Sequence, residues 1–199
     1  MAKNSRLSSI LKGDQDRAAA LFNAGKMQEA EVLYRGMLTR DKNDNYATYH
    51  LALIHCTQKE FAEGLRLVDR AKIHAPGFAP LWYVNGMLLY GSGDSEQALQ
   101  RYDRAIKLAP QYADALLNSG VLLRELFQHH KALERFEQLL RFHPEHLIAL
   151  GNCATLLAQV GQPQRSIAMF DRLVRLDPHH PYAPGMLCYE RLRSCDWTD

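Results

Sequence analysis

The chain has 199 residues, of which 47% are hydrophobic and 23% charged, the mix of an ordinary folded protein rather than a disordered one. Its 24 basic and 22 acidic side chains are interleaved, with a net charge of +2, so nucleic acid and anionic membrane are not expected partners. No apolar run reaches the ~18 residues of a membrane span, and no apolar segment follows Met1-Ala2-Lys3-Asn4 as in a signal peptide. Cys56, Cys153, Cys188 and Cys195 form no Cys-x-x-Cys pair, so a reducing cytoplasm is the expected location.

Residues 1–10 are polar and are expected to be a flexible N-terminus. From Leu11 onward the chain repeats itself. Prolines stand at 76, 110, 144 and 178, and 110−76, 144−110 and 178−144 all equal 34. Small residues recur at the same interval at Ala18, Ala52, Gly86, Gly120 and Ala154, and again at Ala30, Gly64, Ala98, Ala132 and Ser166. Tyr34, Val68, Tyr102, Phe136 and Phe170 form a further series. Four landmarks in one register give five units, at 11–44, 45–78, 79–112, 113–146 and 147–180.

Each unit reads as a helix, a turn and a second helix. In the third, Leu81, Met87 and Leu88 return at helical spacing, then Gly91-Ser92-Gly93-Asp94 breaks the pattern, then Leu99, Tyr102 and Ile106 resume it. The small residues let two helices approach closely, and the aromatic fills the space toward the next unit. Proline ends the second helix, because it lacks an N–H and disfavours helix in the residue before it. The first unit is the most polar, with Asp14, Arg17 and Lys42, which suits an exposed end. Residues 181–199 begin a new first helix with no partner, carrying Leu187 and Leu192, and are expected to cap the array or to continue into a further segment.

Trp82, Gly86, Ala98, Tyr102 and Pro110, at this period, resemble the tetratricopeptide repeat. That resemblance covers about Leu11 to His180 and implies an all-α, right-handed α-α superhelix of five helix-turn-helix units plus a C-terminal capping helix. It also implies a protein-interaction module that is not itself an enzyme. A second resemblance lies at the end of the chain. Cys195-Asp196-Trp197-Thr198-Asp199, directly after the repeats, is similar to the junction between repeats and catalytic region in O-linked N-acetylglucosamine transferases. On that reading the chain recruits substrates for a glycosyltransferase whose catalytic region is absent from it; on the plainer one, Trp197 covers a helix face.

No catalytic set emerges: there is no Gly-x-Ser-x-Gly, no phosphate-binding glycine loop and no His-Glu-x-x-His. No cofactor and no metal are expected. His129-His130 and His179-His180 are adjacent pairs whose side chains diverge, and His143-Pro144-Glu145-His146 lacks a full donor set. His55 stands where Leu21, Leu89, Leu123 and Leu157 stand in other units, so it reads as a hydrogen-bonded core histidine.

The expected binding surface is the concave wall of first helices, at the second, fifth, sixth, ninth and thirteenth positions of each unit. Its candidate residues are Tyr49, His50 and Leu53, then Tyr83, Val84 and Met87, then Leu117, Asn118 and Val121, and last Asn152 and Thr155. Tyrosine and methionine offer rigid and adaptable contact area, and an asparagine can pair with the backbone of an extended peptide. Asn118 and Asn152 are one period apart. The transferases just named carry an asparagine ladder in this place; here His50 and Val84 interrupt it. The plain alternative is that both amides bond to neighbouring helix groups. Tyr49, Tyr83 and Leu117 stand where a carboxylate clamp of this repeat has lysine, so that use is not expected. A protein or peptide partner follows, and self-association into a homo-oligomer, through end faces or second helices, stays open.

Overall fold

A computed structural model describes residues 2–194, with side chains described for 12–194. The fold is all-α, and no strand occurs among the described residues. Eleven helices are described: α1 Ala2–Asn23, α2 Met27–Arg40, α3 Asn45–Thr57, α4 Phe61–His74, α5 Ala79–Gly91, α6 Ser95–Leu108, α7 Ala113–Glu125, α8 His129–Phe142, α9 Leu147–Gln159, α10 Pro163–Leu176 and α11 Ala183–Arg193. First helices start at Asn45, Ala79, Ala113 and Leu147, where the period places the units. Second helices start at Met27, Phe61, Ser95, His129 and Pro163, each 34 after the last. The first unit differs: α1 runs back to Ala2 through residues whose polarity predicts a flexible tail. Nothing in Ala2 to Lys12 breaks a helix, since the first glycine is Gly13 and no proline precedes it.

The turn inside each hairpin has a shared backbone device. Residues 25, 59, 93, 127 and 161 all have positive φ: Gly25 75°, Lys59 62°, Gly93 94°, Phe127 57° and Gly161 74°. A left-handed residue there ends the first helix and reverses the chain, which glycine does at no steric cost and Lys59 and Phe127 do under strain. Two first helices are capped by a side chain: the Asp44 carboxylate accepts from Ala47 N at 2.9 Å at the start of α3, and His146 Nδ1 accepts from Ala149 N at 3.2 Å at the start of α9.

The chain divides between Leu108 and Ala109 into two compact units. In the first, Ala18, Ala30, Tyr34, Met37, Ala47, Leu51 and Ile54 form one core cluster. Ala52, Val68, Leu81, Val84 and Leu88 form another. Close approach is absolute at Gly86, where an added Cβ would lie 2.6 Å from the Tyr102 ring. In the second unit Gly120 plays the same part against Phe136, at 2.5 Å. The series of small residues and the series of aromatics are thus two sides of one contact.

His55 is 4% exposed, and its Nδ1 lies 2.7 Å from Glu60 Oε2, so it is a paired core histidine. Burial pushes the Cys153 thiol up to about 11 and raises that of Cys56, which keeps both protonated. Among the described residues, no helix is long and apolar enough to cross a membrane, and no cluster of three His, Cys, Asp or Glu could hold a metal ion.

Candidate functional site

In the first unit the expected wall is built by α3 and α5, which pack against each other. Tyr49, His50, Leu53 and Met87 are half-buried and present part of their surface. His50 is the centre of an aromatic cluster. Its ring stacks parallel to Tyr34 at 5.0 Å, with Tyr46 at 4.4 Å, Tyr49 at 5.0 Å and Phe22 at 5.5 Å. Its Nδ1 is buried with no hydrogen-bond partner among the described residues, and burial lowers its pKa from the ordinary 6.5.

Two expected wall residues are not on the wall. Val84 is fully buried, in the cluster with Ala52, Val68, Leu81 and Leu88, and Tyr83 is 7% exposed, 6.0 Å from the Tyr102 ring. The cause lies in α5, Ala79–Gly91, which is apolar almost all round and packs on α3, α4 and α6. Tyr83 and Val84 lie on packed sides of this helix, whereas Met87 and Tyr90 keep its exposed side.

In the second unit Leu117, Asn118 and Val121 of α7 are half-buried, as are Asn152 and Thr155 of α9. The amide of Asn152 is committed within the chain. Its Nδ2 donates to Ile148 O at 2.8 Å, and its Oδ1 accepts from Arg124. The Thr155 hydroxyl donates to Gly151 O at 2.9 Å. For Asn152 the plain alternative, bonding to helix neighbours, is therefore the one the geometry has.

Asn152 and Thr155 nevertheless line an open cleft of about 290 Å³ between α9, α10 and α11. Its other walls include Leu147, Ile148, Tyr182 and Met186. Ile148 is 60% exposed and Tyr182 74%, so the rim is apolar and wet. Ile148 was not among the expected wall residues, although it occupies the second position of its unit, the position of Tyr46 and Asp114 in others. Tyr182 had a weaker signal, an aromatic between two prolines just past the repeats. The segment Cys195 to Asp199, which resembles the transferase junction, lies outside the described residues.

Two family models match. Residues 86–126 match the TPR repeat and residues 128–181 the tetratricopeptide repeat. No curated protein sequence matches the chain. Solved structures match in fold. PilF of Pseudomonas aeruginosa is 19% identical with a TM-score of 0.83, over 95% of this chain and 86% of its own. TTC0263, a thermophilic TPR protein of Thermus thermophilus, is 19% identical with a TM-score of 0.70, over 92% of this chain and 99% of its own. YrrB, a TPR protein described as having an unusual peptide-binding site, is 20% identical with a TM-score of 0.64, over 87% of this chain and 89% of its own. At these identities the likeness is one of fold. With the 34-residue period, the repeated helical hairpins and both family models in agreement, residues 86–126 and 128–181 are tetratricopeptide repeats, and the rest of the described chain continues their hairpin pattern.

Proposed function

We propose that the chain is a binding module that holds an extended segment of a partner protein against its first helices. Tetratricopeptide repeats are typically interaction modules, and no catalytic constellation emerges from this sequence. The observation that carries the reading is the cleft beside α9, whose rim leaves Ile148 and Tyr182 largely exposed around the fixed polar groups of Asn152 and Thr155. Exposed apolar side chains gathered round a concavity mark an interaction site better than the same residues scattered. In the other unit, Tyr49, Leu53 and Met87 offer further apolar contact.

The test is a displayed peptide library selected on the immobilised chain. Enriched peptides should bind the parent and lose affinity for Ile148→Asp, which puts a charge into the cleft without touching the core. Peptides indifferent to Ile148→Asp and to Tyr182→Ala would remove the cleft from the site. The glycosyltransferase alternative rests on Cys195 to Asp199 and on the asparagine pair, of which Asn152 is already engaged. Reading the coding sequence past Asp199 decides it.

A further inference from the structure

In two later repeats, one side chain of the second helix closes an inter-repeat turn. Gln138 Nε2 donates to Pro110 O at 3.0 Å, and Arg172 Nη2 donates to Pro144 O at 2.8 Å. Donor and acceptor are 28 residues apart in both, and the two donors are one period apart. The third repeat has Arg104 in this position and Pro76 as its carbonyl. That carbonyl accepts instead from the Trp82 indole Nε1 at 2.9 Å, and no bond to it from Arg104 is among those described. Arg104 is thus released from the structural task of its counterparts. It lies over the Trp82 ring instead, with Cζ 5.7 Å from the centroid.

It is not alone there. Lys72 Nζ lies 4.9 Å from the same centroid and Arg101 Cζ 5.9 Å. The three cations come from α4 and α6 and surround an indole of α5. Lys72 has a carboxylate, Asp69 Oδ1 at 2.8 Å, whereas Arg101 and Arg104 have none among the described residues. Beneath them Asn85, 1% exposed, turns its Oδ1 to Lys72 at 3.3 Å and leaves Nδ2 without an acceptor. Arg101 Nε is likewise buried without an acceptor. The indole face offsets part of the repulsion among three positive charges, but it accepts no hydrogen bond in the plane of a guanidinium.

We propose that this face is a second docking surface, separate from the first-helix wall, and that it takes an acidic protein segment. Carboxylates answer the excess of positive charge, and they pair with guanidinium forks in two-point geometry. A chain of carboxylates fits better than a lone ion, because the cations ring the indole rather than converge on one point. The ring itself supplies an apolar floor for the methylenes of glutamate.

The probe is a short all-glutamate peptide with blocked termini, titrated into the full chain carrying Trp197→Phe, so that emission reports Trp82. A saturable change that weakens with salt is expected. The variant Arg101→Gln/Arg104→Gln should bind about tenfold more weakly with unchanged circular dichroism. Unchanged affinity in that variant overturns the proposal. So does an equal response to an all-glutamine peptide, or to sodium sulfate at the same affinity, which would mean an adventitious ion only. Should the double variant lose helicity, Arg104→Gln alone decides, because Arg104 closes no carbonyl. Undiminished binding there also overturns it.

Discussion

Two glycines in the second unit should respond to alanine with opposite signs. Both lie inside first helices, Gly120 in α7 and Gly151 in α9, where alanine is intrinsically better by about 0.5–1 kcal/mol. At Gly120 a new Cβ would sit 2.5 Å from Phe136 Cε1, with two more ring atoms at 2.9 Å, and that ring is fully buried. Relieving such a contact moves a packed aromatic and costs about 1–3 kcal/mol. The propensity gain offsets at most about half of a mid-range cost, leaving Gly120→Ala destabilised by about 1 kcal/mol. At Gly151 the nearest foreign atom is Leu173 Cδ2 at 3.5 Å, an ordinary contact, so the gain stands. For a chain of this length about 1 kcal/mol moves Tm by about 2–4 °C. Thermal melts followed by circular dichroism should place Gly120→Ala below the parent and Gly151→Ala above it. Gly120→Leu should fall furthest. A Gly120→Ala melt at or above the parent would refute the reading of these glycines as close-approach points.

Phe127→Gly should stabilise by about 0.5–1 kcal/mol, because it relieves a left-handed residue that glycine fills at 93 and 161; a lowered Tm would contradict this. Burial holds the His50 imidazole below its ordinary pKa, so the unfolded chain takes up a proton that the folded chain resists. Its stabilising share is therefore complete above about pH 6.5 and declines as pH falls below that value. His50→Phe should lose less Tm than the parent between about pH 7.5 and about pH 5.5; equal losses would clear His50 of the effect. Glu60→Ala leaves the buried His55 Nδ1 unpaired and should cost about 1–2 kcal/mol in denaturant melts, more than His55→Leu, which restores the residue of Leu89 and Leu123. The reverse order would mean the pair contributes nothing.

The architecture was legible because a period constrains many residues at once. Proline, small-residue and aromatic series all point to the same helix starts, and α3, α5, α7 and α9 begin there. The site was less legible, for two physical reasons. Tyr83 and Val84 sit on a helix so evenly apolar that spacing cannot say which face is outside, whereas α6, α8 and α10 are sharply two-faced. Asn118 and Asn152 share a helix face by spacing, but spacing does not tell what an amide bonds to. The partner of Asn152 is Arg124, 28 residues earlier, and only three-dimensional structure brings the two together. The turn residues at 25, 59, 93, 127 and 161 carried a readable signal in their three glycines, hidden by Lys59 and Phe127.

The central claim is that a partner segment lies on the first helices. Calorimetry of a library-selected peptide against the parent, Ile148→Asp and Lys131→Ala tests it most directly. Ile148 stands at the cleft on α9, and Lys131 is exposed on the second helix α8. Ile148→Asp should lose at least about tenfold in affinity, or about 1.4 kcal/mol, and Lys131→Ala should lose nothing. Full affinity in Ile148→Asp, with helicity intact, would contradict the claim.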